Sequence, residues 1–159
     1  MLPEDTVVDM AFFRDHFFIL NEQEDLIAFT EDSRDNDFEI GNEYEVIGRP
    51  LTMTRIRYNF QASADRSRHM VIGRFLVESE GKIYMVRHLG APDAFEFFVL
   101  VEKGFISPDT MLARWSKCTN ELGGRALFLG MGCSRSEETG MPGKVIVHCS
   151  YRDGGWFYA

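Results

Sequence analysis

The chain has 159 residues, enough for about one domain that buries roughly two thirds of its unfolded surface. Hydrophobic residues make up 45% and charged residues 26%, a globular balance that excludes wholesale disorder. The formal net charge of -8 would repel a phosphate backbone over most of the surface, so no nucleic-acid partner is expected.

The aromatic content favours strands, because 14 phenylalanines suit pleated, half-buried surfaces better than turns or coils. The cysteines Cys118, Cys133 and Cys149 form no CxxC pair, which indicates buried thiols in a reducing compartment rather than disulfides or zinc. The acidic N-terminal stretch is unlike a signal peptide, and the longest apolar runs are far too short to cross a membrane. We therefore expect a cytoplasmic or nuclear protein with no membrane association.

The first thirty residues predict three antiparallel strands. Residues 7–13 and 16–20 are β-branched and aromatic runs on either side of Arg14-Asp15, which is a hairpin signal. A third strand is predicted at 26–29, after a polar break. A helix is disfavoured because the apolar residues cluster in blocks and the breaks recur too often.

An acidic segment over 31–45 predicts a solvated loop, and it lacks the glycine and glutamate of a calcium-binding loop. Strands are then predicted at 44–47 and 51–60. The second alternates apolar residues with Arg55 and Arg57, so its outer face is basic. Residues 62–67 are polar enough to predict a projecting loop.

The middle of the chain predicts a second meander. Its strands cover 70–78, 82–88 and 95–101, and Gly81 provides a left-handed turn position between the first two. Residues 102–110, which contain Gly104 and Pro108, predict a less regular insert, and the segment 112–118 with Trp115 follows it.

The last third predicts three further strands. The apolar run 126–129 lies between Gly123-Gly124 and Gly130, which is typical of a covered strand between two turns. Strands are also predicted near 145–151 and at 156–158. The segment 14–30 and the segment 72–88 share a strand, acidic turn and strand plan, so we interpret the chain as repeated blades.

These elements predict an all-β fold of antiparallel four-stranded meanders, arranged as a partial β-propeller of about three blades. The approximate blades are 1–60, 61–110 and 111–159 of one domain. Because such blades leave open edges, self-association through these edges is an expectation.

Several strings carry a resemblance to a known family. They are VVDMAFFRDHFFILNEQEDLIAF at 7–29, FLVESEGKIYMVRH at 75–88, FEFFVL at 95–100 and ARWSKCTNELGGRALFLGMGCSRS at 113–136. The order of these motifs resembles the C-terminal part of the KIB-type, kelch-like β-propeller domain of plant F-box proteins. The resemblance spans nearly the whole chain, and its most specific part is the W…LGGRALFLG…CSRS string.

The resemblance implies target recognition inside an SCF-type ubiquitin ligase, in which an F-box binds the Skp adaptor and the propeller holds the target. The sequence departs from that plan because it shows no F-box. We therefore expect no direct Skp binding, and the target protein is not identified by the sequence.

Motifs of catalysis are not found in the sequence. GxSxG, HExxH and phosphate-loop patterns are lacking, and adjacent His148 and Cys149 would point to opposite faces of a strand. We expect no catalytic, cofactor-binding or metal-binding residues and hence no enzyme.

The leading hypothesis is a protein-interaction module that uses the loops 61–69 and 133–143. The candidate partner contacts are Arg66, Arg68, Arg135 and Glu137. Two alternatives stay open: a degenerate or truncated gene product with no retained role, and a β-protein that binds a small ligand among its aromatic residues.

Overall fold

The computed structural model describes residues 6–31, 53–60, 70–90, 94–118 and 125–138, and the backbone of 145–152 and 155–158. These residues form strands and turns, and no helix occurs among them, so the all-β prediction is confirmed. The strands are β1 (Val7–Phe13), β2 (His16–Asn21), β3 (Leu26–Glu31), β4 (Met53–Phe60), β5 (Val71–Ser79), β6 (Lys82–Leu89), β7 (Phe95–Ser107), β8 (Thr110–Cys118), β9 (Arg125–Leu129), β10 (Arg135–Glu138), β11 (Val145–Arg152) and β12 (Gly155–Tyr158).

Two antiparallel meanders, β1–β4 and β5–β8, combine into one eight-stranded sheet with the order β1-β2-β3-β4-β8-β7-β6-β5. The two meanders join through a parallel pairing of β4 with β8, which runs from Arg57 opposite Thr110 to Phe60 opposite Ala113. A second sheet has the order β10-β9-β11-β12 and contains a second parallel pair, β9 with β11. The antiparallel meanders were predicted, but the two parallel pairings between distant segments were not.

The second meander is buried on both faces. One face packs on the first meander through residues that include Leu76, Met85 and Phe98. The other face packs on β9 through Phe75 and Val77, with their neighbours in the same apolar cluster. Burial on both sides explains why β5 to β7 contain continuous apolar pairs and triplets rather than strict alternation.

The first meander buries its inner face against the second. Phe18, Leu20, Leu26 and Ala28 belong to the shared cluster, and Ile56 and Tyr58 extend it onto β4. The exposed Arg55 and Arg57 alternate with these two residues, as the sequence predicts. The core therefore lies between the inner faces of the two meanders, which belong to one sheet.

Two predictions about local structure are wrong. Residues 102–110 are no irregular insert, because β7 runs to Ser107 and β8 begins at Thr110. The β7–β8 ladder accommodates Gly104, at φ 137°, through register shifts between Glu102 and Gly104 and again between Phe105 and Ser107. Part of the predicted loop 133–143 is instead the strand β10, paired with β9.

Other predictions fall outside the described residues. They are the strand at 44–47, the loop 62–67 and most of the acidic segment 31–45. The blade limits at 60 and 110 stay a prediction.

The buried carboxylate of Asp9 connects distant parts of the fold. Asp9 is 1% exposed, and its Oδ2 accepts a hydrogen bond from the backbone N of Leu76 at 2.6 Å. Its Oδ1 accepts from the backbone N of Gly132, also at 2.6 Å. Because β1 and β5 are the two edges of the eight-stranded sheet, one side chain links both edges to the β9–β10 turn. Burial raises the pKa of Asp9, and the backbone N–H donors only partly offset this rise.

A largely buried ion-pair network adds a second link. Glu24, in the β2–β3 turn, accepts hydrogen bonds from Arg87 Nη2 at 2.5 Å and from Arg74 Nε at 2.9 Å. Arg87 also contacts Glu96 at 3.2 Å, and its guanidinium lies 4.3 Å from the centre of the Phe98 ring. Burial raises the pKa of Glu24, but the hydrogen bonds from Arg87 and Arg74 outweigh burial, so its pKa lies below the ordinary value.

We predict that Asp9→Ala lowers the free energy of unfolding at pH 7 by about 2–4 kcal/mol, because two buried N–H donors lose their acceptor. Asp9→Asn keeps one acceptor oxygen and should lower the free energy of unfolding by a smaller amount. Urea denaturation measures both values, with the exposed Asp25→Asn as the control. If the free energy of unfolding of Asp9→Ala lies within about 0.5 kcal/mol of that of the unmodified protein, the proposed role of Asp9 in linking the two sheet edges is contradicted.

A second prediction concerns acid stability. A lowered pKa means that Glu24 contributes stability above pH 4.5, its ordinary value, and loses it as pH falls through the folded-state pKa. Glu24→Gln should therefore cost about 2 kcal/mol at pH 7, and the difference should shrink at pH 3. Urea denaturation at the two pH values, with the exposed Glu22→Gln as control, tests this. A difference that stays constant with pH would show that ionisation of Glu24 is irrelevant.

Candidate functional site

A cleft opens between the two meanders at the end where the β1–β2 and β5–β6 turns meet, and we name it the turn cleft. It has a volume of about 290 Å³. Its lining residues come from both meanders and are Phe13, Arg14, His16, Phe18, Ile56, Tyr58, Gly81, Lys82, Ile83, Leu100, Glu102, Phe105 and Met111.

Both turns at the cleft have left-handed backbone. Arg14 and Asp15 have φ of 49° and 59°, and Glu80 and Gly81 have φ of 50° and 77°. Two central residues with positive φ define a turn that normally favours Asn-Gly or Asp-Gly. The β1–β2 turn has no glycine, so its backbone stores strain beside the cleft.

One hydrogen bond links the two turns, and another lies within the β1–β2 turn. Arg14 Nη2 donates to the carbonyl oxygen of Gly81 at 3.0 Å, and the Arg14 guanidinium lies 4.9 Å from the centre of the Phe13 ring. His16 Nδ1 lies 2.6 Å from the carbonyl oxygen of Arg14. Because a carbonyl oxygen only accepts, Nδ1 carries the proton in this contact. The strained turn is therefore fixed to the opposite meander.

Aromatic rings form the wall of the cleft and continue behind it. His16 stacks with Phe18 at 6.0 Å between ring centres, and Phe18 lies 6.2 Å from Tyr58. The row continues through Phe60 to Trp115, whose rings stack at 5.5 Å. Such a row of rings makes a rigid apolar wall.

The neutral hydroxyl of Tyr58 on β4 forms a hydrogen bond with the carboxylate of Glu102 on β7. Tyr58 Oη donates to Glu102 Oε1 at 2.9 Å. Burial, together with the negative charge of Glu102, raises the pKa of Tyr58 above its ordinary value. Tyr58 therefore stays protonated at neutral pH and keeps Glu102 in place.

The β7–β8 hairpin borders the cleft with exposed apolar side chains. Phe105 is 59% exposed and lines the cleft, and the adjacent Ile106 is 58% exposed. The turn beyond them is held by Asp109, whose Oδ1 accepts from Ser107 Oγ at 2.6 Å and from Thr110 Oγ1 at 3.1 Å. We call Phe105 and Ile106 the hairpin tip. Exposed apolar residues beside a concave site are typical of a protein-docking surface.

The predicted partner-contact residues lie elsewhere. Arg66 and Arg68 fall outside the described residues. Arg135 and Glu137 share one face of β10, with Nε and Oε1 3.8 Å apart, and both are exposed. Arg135 also lies 5.0 Å from the centre of the Phe128 ring. The structure brings this pair together but does not place it in the turn cleft, and its role stays a prediction.

Sequence reasoning did not single out Arg14, Lys82, Tyr58 or Glu102. The one local signal was Arg14-Asp15 itself, a hairpin turn that lacks the glycine its geometry favours. The other residues meet only through pairing and packing between segments far apart in the chain. Within the described part of the chain, no three His, Cys, Asp or Glu side chains group as metal ligands. The same residues contain no helix long and apolar enough to cross a membrane.

Comparison with known proteins supports the sequence resemblance. The family model described as KIB1-4 beta-propeller matches residues 2–146. This match confirms both the KIB-type resemblance and the partial β-propeller fold. No curated protein and no solved structure matches the chain.

We predict that Asp15→Gly raises the free energy of unfolding by about 0.5–1 kcal/mol, because glycine adopts positive φ without the clash of a Cβ atom. Glu22→Gly is the matched control, since Glu22 is exposed and is not among the residues with positive φ. The control should lose stability in the same urea denaturation. Loss of stability in both variants would show that the β1–β2 turn is unstrained.

Proposed function

Because the chain belongs to the KIB1-4 beta-propeller family, we propose that it is a protein-interaction module that recognises a target protein and catalyses no reaction. We further propose that the chain holds this target for ubiquitin transfer by an SCF-type ligase. The resemblance to the propellers of F-box proteins supports this ligase role.

The observation that carries the proposal is the position of the hairpin tip. Phe105 and Ile106 are exposed beside a concave, aromatic-walled cleft with a few polar groups at its mouth. Protein interfaces are built in this way, with an apolar centre that excludes water and polar groups around it. A tip on two long paired strands is also a rigid support for such a contact.

The chemistry of the cleft supports a binding role rather than a catalytic one. His16 Nδ1 donates a hydrogen bond to the carbonyl oxygen of Arg14, and this bond orients no nucleophile. Tyr58, whose pKa is raised, is held as a donor to Glu102 and is poorly suited to act as a base at neutral pH. The polar groups of the cleft therefore present fixed charges and hydrogen-bonding atoms to a partner.

The docking proposal predicts that Phe105→Asp combined with Ile106→Asp removes target contacts while the fold is kept, because both side chains are exposed. Proximity labelling in cells that express the protein would compare this variant with the unmodified chain. Ile72→Asp is the matched control, since Ile72 is 54% exposed on β5 and does not line the cleft.

We expect the control to label the same partner as the unmodified chain and the tip variant to lose it. Retention of the partner by the tip variant would contradict the docking site. Ubiquitination of that partner, measured in the same cells, tests the ligase role separately.

A further inference from the structure

We propose that the turn cleft selects a protein segment that carries one large apolar side chain beside a carboxylate. This inference rests on the proposed interaction function and adds the chemical class of the recognised segment. It is carried by the volume of the cleft, by its apolar walls and by the charged residues that line it.

The volume limits what the cleft accepts. At about 290 Å³ it lies at the lower limit of pockets that enclose whole small-molecule ligands, which begin near 300 Å³. One large side chain of a docked segment fits this space better than a multi-ring ligand. Interfaces often concentrate their binding energy in such a pocket, filled by a single anchoring residue.

The walls specify that the anchor is apolar. Phe18, Ile56, Ile83 and Met111 line the cleft and belong to the buried core, so a ligand meets well-ordered hydrophobic atoms. Leu100 packs against the same core from β7. A polar side chain placed against these apolar residues would lose its hydration without gaining hydrogen bonds from them, which is unfavourable.

The two hairpin turns specify the neighbouring charge. Arg14 and Lys82 are exposed cations on adjacent turns, and both line the cleft. The bond to Gly81 occupies one Nη2 donor of Arg14, and a guanidinium has five N–H donors, so donors are left for a carboxylate. A segment with an acidic residue next to its anchor would place that carboxylate between the two cations.

Glu102 also lines the cleft and offers the bound segment an acceptor. One of its oxygens accepts from Tyr58, and a carboxylate has further lone pairs for a backbone N–H of the bound segment. A second ligand carboxylate beside Glu102 would be repelled. The cleft is therefore lined by two cations from the turns and by one carboxylate from β7.

The hairpin tip favours a polypeptide over a free acidic metabolite. Phe105 lines the cleft and Ile106 follows it, so apolar surface continues outward from the anchor position. A small free acid would leave this surface exposed to water. A docked segment would cover it with the residues that flank its anchor.

The test uses four blocked pentapeptides and the full chain. In the first, phenylalanine has a glutamate on one side and a glutamine on the other. The second has a lysine in place of that glutamate, the third has glutamine on both sides, and the fourth has alanine in place of the phenylalanine of the first. NMR titration would follow the backbone signals of Gly81 and Ile83 and give a dissociation constant for each peptide. N-acetylphenylalanine serves as the free acid in the same titration.

We expect the glutamate–phenylalanine peptide to bind at least about tenfold more tightly than each of the other three and than the free acid, which corresponds to one well-placed charged or apolar contact. Added salt should weaken it, because the discriminating groups are exposed charges. Lys82→Ala should reduce its preference over the glutamine peptide severalfold. Lys103→Ala, an exposed lysine of β7 that does not line the cleft, should leave the preference unchanged.

The outcomes separate this inference from the proposed function. Tightest binding by the lysine or alanine peptide, or by the free acid, would overturn the proposed selectivity even if the tip variant lost its cellular partner. The absence of any signal change at the cleft, for all four peptides, would overturn the cleft as the anchor site. Loss of the cellular partner would then assign docking to the hairpin tip alone.

Discussion

The carboxylate of Asp9 connects the first meander to the second and to the β9–β10 turn. Its two oxygens accept from the backbone N–H groups of Leu76 and Gly132, which are separated by 56 residues, the difference between their positions. Burying an isolated carboxylate is strongly unfavourable, so the two backbone bonds must offset a large loss of hydration. The raised pKa of Asp9 shows that the offset is incomplete. If only apolar side chains stood here, the two buried N–H groups would have no acceptors, which is also unfavourable.

Once the meanders are held in this arrangement, the turn cleft follows from their packing. The inner faces meet along a shared apolar cluster, while Glu24 binds Arg74 and Arg87 from the second meander. These links oppose any sliding between the two meanders, so the β1–β2 and β5–β6 turns stay next to each other. The bond from Arg14 to Gly81 then stabilises a turn that has positive φ without glycine. The packing of the two meanders therefore holds the strained turn in place.

The sequence predicted the fold better than the site, for physical reasons. Strand position depends on local alternation and on turn residues, so Arg14-Asp15 and Gly81 identified both hairpins correctly. The parallel pairing of β4 with β8 depends on segments about fifty residues apart, and no local pattern encodes it. The strand across Gly104 was missed because a glycine in a bulge has the same local signal as a glycine in a loop. Tyr58 and Glu102 become neighbours only through that long-range pairing.

The net charge of the whole chain is negative, whereas two cations, Arg14 and Lys82, line the cleft, and distance decides which charges act on a partner. The net charge is -8, but charges on exposed surfaces are largely screened beyond about 8 Å at physiological ionic strength. A segment in the turn cleft lies within contact distance of Arg14 and Lys82, whose attraction is screened far less. The remaining acidic surface repels strongly acidic proteins once the two surfaces come within that screening distance. This combination favours a partner with a single carboxylate beside an apolar anchor over a uniformly acidic surface, because only the former gains the local attraction without the general repulsion.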